Sequence, residues 1–525
     1  MVAEAKFRSV IVSVLFLIGL FASISCYLIM LGLSFIGLSY IIVYLGAVLK
    51  QVWNKAGLVL IQLYKLLLIL IKFFWSKVGN RGVNDNSFYK QNQSYIRSRL
   101  TLEAGNKFYS TKPSFDKEYE EFLQWFVGFS DGESNFTIVL QKDKNGSISG
   151  ASFRFIIELH IDDLNTLKYI RSKLKIGNEI AVYGNSCKFT VIHRKDINKL
   201  ISIFGKYKLN TTKYLDYLDF KKAFNLYQGR DKTIKDNQTL IDQILELKKA
   251  MNKSRMNFSL PVDHKIVISR PWLLGFIEGE GSFYLTRAEF EPGFSITQSE
   301  TQLPVMEKIK EFLENNLGFD KYSMFKLKSS SAITIKRGKA VKNSKPLAVV
   351  TIRNTNILIH YLIPYLESMR FITKKGKDFY DFKIICTAVY NGTYRREEIK
   401  PLILKLSYSM NNYRLSTNSD LNKVNGLPEE ILDKIIKAKP TIRHIDDGRQ
   451  LDVVTGKAIN RNWTNCVYEI TKDTGEILLA LTLNDAAEIL GVDFRTVRRY
   501  LDPLNGEYAE INKYKVRRIA VFYSL

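Results

Sequence analysis

Two stretches of this 525-residue chain repeat one another. One, "LQWFVGFSDGESNFTI", starts at Leu123; the other, "RPWLLGFIEGEGSFYL", starts at Arg270. Aligned on their acids, Trp125/Trp272, Gly128/Gly275, Phe129/Phe276, Gly132/Gly279, Glu133/Glu280 and Phe136/Phe283 coincide. Two more blocks follow in the same order. Ile157–Ile170 lies over Ile296–Ile309 without a gap, and Leu209–Phe220 lies over Phe371–Phe382. Matched blocks in one order mean an internal duplication. Each copy reads helix, two strands, helix, more strands, helix, an α+β half-domain of ordinary size. The copies are expected at 118–235 and 266–411, with a linker at 236–265.

The first block has a physical consequence. Each copy is an apolar helix that ends in alternating glycines and acids. Small residues let two helix backbones approach closely. Packed side by side, the two helices bring Glu133 and Glu280 together. Like charges that close are costly unless a divalent cation neutralises them. An oxygen-only donor set favours Mg²⁺ or another hard ion. Paired carboxylates with metals are one route to phosphodiester hydrolysis.

Bulk properties agree with a polyanionic partner. The net charge is +25 and the pI near 9.5, which points to nucleic acid or an anionic membrane. Cys26, Cys187, Cys386 and Cys466 form no CxxC, so a disulfide framework or zinc cluster is not expected. The absence of HExxH and of GxxxxGK[ST] removes zincin and P-loop chemistry.

The N-terminus is a separate unit. Residues 9–49 carry no charged side chain, long enough for two membrane helices of about 20 residues each. Residues 1–77 are expected to be a transmembrane segment, and the polar stretch 78–117 a linker. "GLSFIGLSYIIVYLGAV", Gly32–Val48, resembles a membrane helix of mitochondrially encoded NADH dehydrogenase subunit 6. The resemblance stops abruptly after about residue 48, as an exon read in frame into an intron would. It implies a mitochondrial location, with contact to the membrane unless this part is removed.

"FVGFSDGES" and "LLGFIEGEG" resemble the two LAGLIDADG motifs of homing endonucleases. Glu278 replaces the usual Asp at a position that mainly caps. Ser130 stands where an apolar residue is usual, and Ser134 replaces the last glycine. The resemblance spans roughly Glu118–Asn411. It implies two pseudo-twofold half-domains, αββαββα, with curved antiparallel sheets that bind DNA. Glu133 and Glu280 are then the catalytic and metal-binding acids. It further implies a strand glutamine, met by Gln298 but replaced by Leu159 in the first copy. A basic residue near the metals is met by Lys213 and Lys375, with Lys374 one step away.

Strand alternation after each motif helix turns Phe136, Ile138 and Leu140 inward, and Asn135, Thr137 and Gln141 outward. In the second copy Ser282, Tyr284 and Thr286 face outward. Polar side chains on such a face can meet base edges in the major groove. Lys326, Lys328, Lys336, Arg337 and Lys339 lie in what reads as a strand–loop–strand ribbon that grips phosphates.

Beyond an irregular stretch at 412–464, the segment 465–525 holds a short hairpin and two helices. The helices, Asn484–Leu490 and Phe494–Leu501, are joined by the turn Gly491–Asp493, a helix-turn-helix pattern. Arg495, Thr496, Arg498 and Arg499 lie on the second helix, placed for a groove or phosphates. The segment resembles the modular DNA-binding repeat found beside homing endonucleases. The expected activity is a monomeric, site-specific double-strand break in DNA at an intronless allele. A maturase that binds host intron RNA is the alternative. A membrane respiratory subunit is disfavoured by the long basic portion.

Overall fold

A computed structural model describes residues 115–523, apart from the short internal stretches 145, 147, 232–237, 331, 339–345, 418–426, 446, 460–464 and 502–507. The expected transmembrane segment 1–77, nearly all of the linker 78–117, and Lys339 lie outside the described residues. Among the described residues, no helix is long and apolar enough to cross a membrane.

The first copy opens with α1 (Phe115–Glu133), β1 (Ser134–Lys142), β2 (Ile148–His160), α2 (Leu164–Leu174), β3 (Ala181–Tyr183) and β4 (Ser186–Val191). It continues with α3 (Arg194–Lys206), α4 (Lys213–Gln228) and α5 (Gln238–Lys249). The second copy runs α6 (Arg270–Glu280), β5 (Gly281–Thr286), β6 (Glu291–Ser299), α7 (Leu303–Asn316), α8 (Lys321–Ser329), β7 (Ile333–Gly338) and β8 (Leu347–Ile352). Next comes α9, which is Thr355–Ile357, a π-helical turn Leu358–Leu362 and Ile363–Glu367. After it come α10 (Lys375–Tyr390) and α11 (Lys400–Tyr408).

The sheets have the same order, β1-β2-β4-β3 and β5-β6-β8-β7, antiparallel throughout. Register fixes the equivalence of the copies: Phe136 pairs with Phe155, and Phe283 with Phe294. Counting on from those pairs places Leu159 opposite Gln298 in the duplication. Two helices, not one, follow each sheet: α3 and α4 in the first copy, α9 and α10 in the second. The expected pattern αββαββα was one helix short in the first copy and two in the second, where α8 also precedes β7.

Motif helices with apolar residues on most sides must be buried. Trp272 through Glu278 are all buried in α6. The two helices pack with their backbones in contact. A Cβ on Gly128 would lie 2.0 Å from the Trp272 carbonyl oxygen, and one on Gly275 would lie 2.1 Å from that of Trp125. The sheets' inner faces then fill with aromatics. Phe136 packs on Phe155, Phe204, Tyr217 and Phe220, and Phe283 on Phe294, Phe379 and Phe382.

The stretch 236–265 is not a plain linker. It contains α5, whose Leu240, Ile241 and Ile244 are buried, and a turn anchored on α4. There Arg255 pairs with Asp216 and Asp219, and Asn252 donates to the Phe136 carbonyl. The same construction recurs after α11: Arg414 pairs with Asp378 and Asp381, and Asn411 donates to the Phe283 carbonyl. "MNKSR" (251–255) and "MNNYR" (410–414) are thus a fourth matched block, so the second copy reaches past Asn411.

The stretch 412–464 carries α12 (Glu429–Ile436) and a small hairpin of β9 (Ile442–His444) and β10 (Gln450–Asp452). The tail comprises β11 (Cys466–Thr471), β12 (Ile477–Ala480), α13 (Leu483–Leu490), α14 (Phe494–Leu501), β13 (Ala509–Ile511) and β14 (Tyr514–Ala520). Its strands order β12-β11-β14-β13. Thr482 and Asp485 close a capping box on α13, and Gly491 leaves it with φ 65°. The two helices fall where the sequence puts them, within one residue.

Candidate active site

Glu133 and Glu280 end their helices on opposite sides of one crossing. Each side chain lies across the other helix's glycine. A Cβ on Gly132 would lie 3.2 Å from Glu280 Cγ, and one on Gly279 would lie 3.3 Å from Glu133 Cγ. Burial raises both carboxyl groups above their usual range. Glu133 is pushed up to about 7, with repulsion from Glu280 adding to the effect of burial. Gln298 hydrogen-bonds Glu280, which moderates the rise. Leu159, in the equivalent position, offers no such group.

The two lysines sit at the helix ends. Lys213 Nζ donates to the carbonyls of Ser130 and Gly132, at 3.0 and 2.9 Å. Lys375 Nζ donates to that of Gly281 at 2.6 Å. A cation at a helix C-terminus satisfies orphan carbonyls and complements the dipole. Each ammonium thereby stands beside the acids, and both lower the carboxyl values of Glu133 and Glu280. Burial pushes Lys213 down, against the pull of Asp131, Glu280 and Glu133. Lys374 Nζ instead pairs with Asp163, at 3.4 Å.

The acids two residues earlier do different work. Buried Asp131 accepts from the Asn210 and Thr211 amides, the Thr211 hydroxyl and Trp272 Nε1. Buried Glu278 accepts from the Ile372 and Thr373 amides and Trp125 Nε1. Each therefore orders the approach to its own copy's lysine helix while it is held by the other copy's tryptophan. The aligned pair Trp125/Trp272 is the sequence signal of this cross-link.

Ser134 does not disturb its helix end. Its hydroxyl donates to the Ser130 carbonyl at 2.7 Å. In the second copy, a Cβ on the matching Gly281 would lie 2.6 Å from the Ile277 carbonyl oxygen. The first copy uses as a hydrogen-bond acceptor the oxygen that demands glycine in the second.

Asn135 and Gln141 are exposed, and Thr137, Ser282, Tyr284 and Thr286 half-exposed, on the outward faces of β1 and β5. Lys336 and Arg337 are exposed on β7. Lys326 and Lys328 are not on a ribbon; they belong to helix α8. Lys326 is half-buried and donates to the Leu481 carbonyl of the tail. A short apolar–basic alternation such as "MFKLKSS" fits a strand and a helix turn equally, and Asp320 decides by capping two amides of α8. Arg495, Arg498 and Arg499 are exposed on α14, and Thr496 half-exposed.

Among the described residues, no group of three or more His, Cys, Asp or Glu side chains could hold a metal by itself. The donor set at the crossing is two carboxylates and backbone oxygens. It suits a hard cation that completes its shell with water and substrate oxygen.

Residues 126–224 and 273–386 match the family model "LAGLIDADG endonuclease". A probable intron-encoded endonuclease, Cox1-I1b of Schizosaccharomyces pombe, is 34% identical over 227 residues, 40% of this chain and 56% of that protein. The N-terminal part is similar to NADH-ubiquinone oxidoreductase chain 6 of Neurospora crassa, 73% identical over 41 residues, 8% of this chain and 17% of that one. A crystal structure of the LAGLIDADG homing endonuclease I-GzeII with its DNA target aligns at a TM-score of 0.46 and 24% identity, over 55% of this chain and 99% of that one. The chain spans between half and two thirds of the length of the first three relatives it matches. Both matched segments contribute an acid to one helix crossing, and over them the chain is similar to the LAGLIDADG endonuclease family, with the two motifs on one polypeptide.

Proposed function

We propose that this chain is a site-specific, mitochondrial DNA endonuclease that makes a double-strand break at an intronless allele and so promotes mobility of its intron. The observation that carries the reading is the meeting of Glu133 and Glu280, each raised by burial, beside two helix-capping lysines. Glu133 and Glu280 would hold the divalent cations, Mg²⁺ in the cell. The cations supply Lewis-acid stabilisation and an activated water. Lys213 and Lys375 hold positive charge where negative charge grows on phosphate. Gln298 fixes the Glu280 carboxylate. The outward residues of β1 and β5, with Lys336 and Arg337, face the duplex. The chain acts as a monomer, because both halves of the site lie on it.

The test uses the full-length chain, Mg²⁺ and DNA that joins the two exons flanking its reading frame. A double-strand cut near that junction, lost in Glu133→Gln and in Glu280→Gln with binding kept, is the expected result. No cut, together with tight binding of the intron RNA, would replace this reading with a maturase.

A further inference from the structure

We infer that the tail is a rigidly docked reader of duplex DNA that lengthens the recognised site on one side only, beyond the half-site of the second copy. This rests on the DNA-cutting reading above and adds a polarity to it.

Strand alternation in β11 sends its side chains to two different cores. Cys466, Tyr468 and Ile470 belong to a small core shared with Ala486, Ala487, Leu490, Val497 and Leu501 of α13 and α14. Val467, between them, belongs to the main core, as do Val521 and Phe522. Glu469, also on that face, is 2% exposed. It accepts from Tyr322 OH of α8 and pairs with Arg517. The tail sheet is therefore covered on both sides: by its own two helices on one, by the second copy on the other.

Polar contacts fix the docking further. Lys326 of α8 donates to the Leu481 carbonyl, Asn354 donates to Asn465, and the Phe522 amide donates to Ser323 Oγ. A sheet with both faces buried, whose contacts include a buried charge-assisted network, does not swing on a tether.

The direction follows from topology. β5 leaves the central helix α6 directly, so it is the strand next to the shared site. In the order β5-β6-β8-β7, β7 is the far edge. The tail docks on α8, the helix that leads into β7, and so continues the second copy outward. Among the described residues, no such addition lies on the β3 edge of the first copy. On the tail's free side, α14 buries Val497 and Leu501 and exposes Arg495, Arg498 and Arg499. Three guanidinium groups on one exposed helix suit a phosphate-lined groove. The duplex protected by the protein should extend on the second copy's side by on the order of one helical turn, about 10 base pairs.

The test is a hydroxyl-radical footprint of the full-length Glu133→Gln protein on the intronless junction DNA. Orientation comes from an iron chelate tethered at Arg337→Cys on β7 or at Tyr183→Cys on β3. The expected footprint is longer on the flank cut from residue 337. In Arg495→Ala/Arg498→Ala/Arg499→Ala only that extension should vanish. Log affinity against log salt should lose a slope of about 3, from about 0.9 per phosphate contact, and the cutting position of the otherwise native chain should stay the same. A footprint symmetric about the cut, or longer on the flank cut from residue 183, overturns the polarity. An extension that survives the triple substitution overturns the role of α14. No footprint at all refutes DNA cleavage itself, a different result from either.

Discussion

Replacing Glu133 by Gln should make the metal-free protein more stable at neutral pH, although it removes the activity. Burial and Glu280 hold the folded carboxyl at about 7 against an ordinary value of 4.5. A difference of about 2.5 units corresponds to about 3 kcal/mol. The folded value lies above the unfolded one, so the folded state holds the extra proton. Stability is therefore complete below pH 4.5 and falls as pH rises through 7. The amide removes the charge but still pays for desolvation, and Glu133 is partly exposed, so the net gain should be about 1–2 kcal/mol. Denaturant titrations at pH 5 and pH 8, with chelator, read it: the gap between the variant and native chains is small at pH 5, about a quarter of its full size, and the variant leads clearly at pH 8. Saturating Mg²⁺ reverses the order, because only the intact pair binds it well; at 100 times Kd the native chain gains about 2.7 kcal/mol. A variant less stable than the native chain at pH 8 without metal would refute the claim that the acid is held at a cost.

Gly128→Ala and Gly275→Ala should each cost about 3 kcal/mol or more in urea melts, since the new methyl meets a backbone carbonyl at 2.0 or 2.1 Å. Gly205→Ala on α3, with nothing within 4 Å, should instead add about 0.5–1 kcal/mol. Arg255→Ala and Arg414→Ala strand two aspartates each, and should destabilise by similar amounts, about 3 kcal/mol by thermal unfolding; a large difference between them would deny the fourth repeat block. Gln298→Leu should slow cutting of one strand about 10- to 100-fold, as loss of a group that orders a ligand does. The other strand should be little changed, and nicked circles should accumulate on gels.

The central crossing was legible because its geometry is written in residue size and charge within a single motif. Gly128 and Gly275 permit contact, and contact forces Glu133 against Glu280. Lysines 213 and 375 were legible through the third repeated block, and Leu159 against Gln298 through the gapless second. The arginine anchors were not. From Asp216 to Asn252 the chain inserts α5, while from Asp378 to Asn411 it inserts α11, with a different length. A repeat that resumes after unequal insertions gives no fixed offset to find. Lys326 escaped for another reason: its role depends on Leu481, far along the chain, and no local pattern encodes a partner at that distance.

Joining the copies on one chain let them diverge where a symmetric dimer could not. The turn after each second strand reaches across to the other copy's lysine helix. Gln302 accepts from the Thr212 amide, and Asp163 from the Lys374 amide, at 2.9 Å each. The two contacts are equivalent in position and unequal in charge. Asp163 also pairs with Lys374 Nζ, so the segment that presents Lys375 is held by an ion pair, while the one that presents Lys213 is held by a neutral amide. The copy with that ion pair is also the one with Gln298. Both differences favour a firmer arrangement around Glu280 and Lys375 than around Glu133 and Lys213. Asp163→Asn, which keeps the hydrogen bond and removes the charge, should therefore slow the same strand as Gln298→Leu, by a smaller factor. If it slowed the opposite strand instead, the two halves would have to be working through each other's lysines.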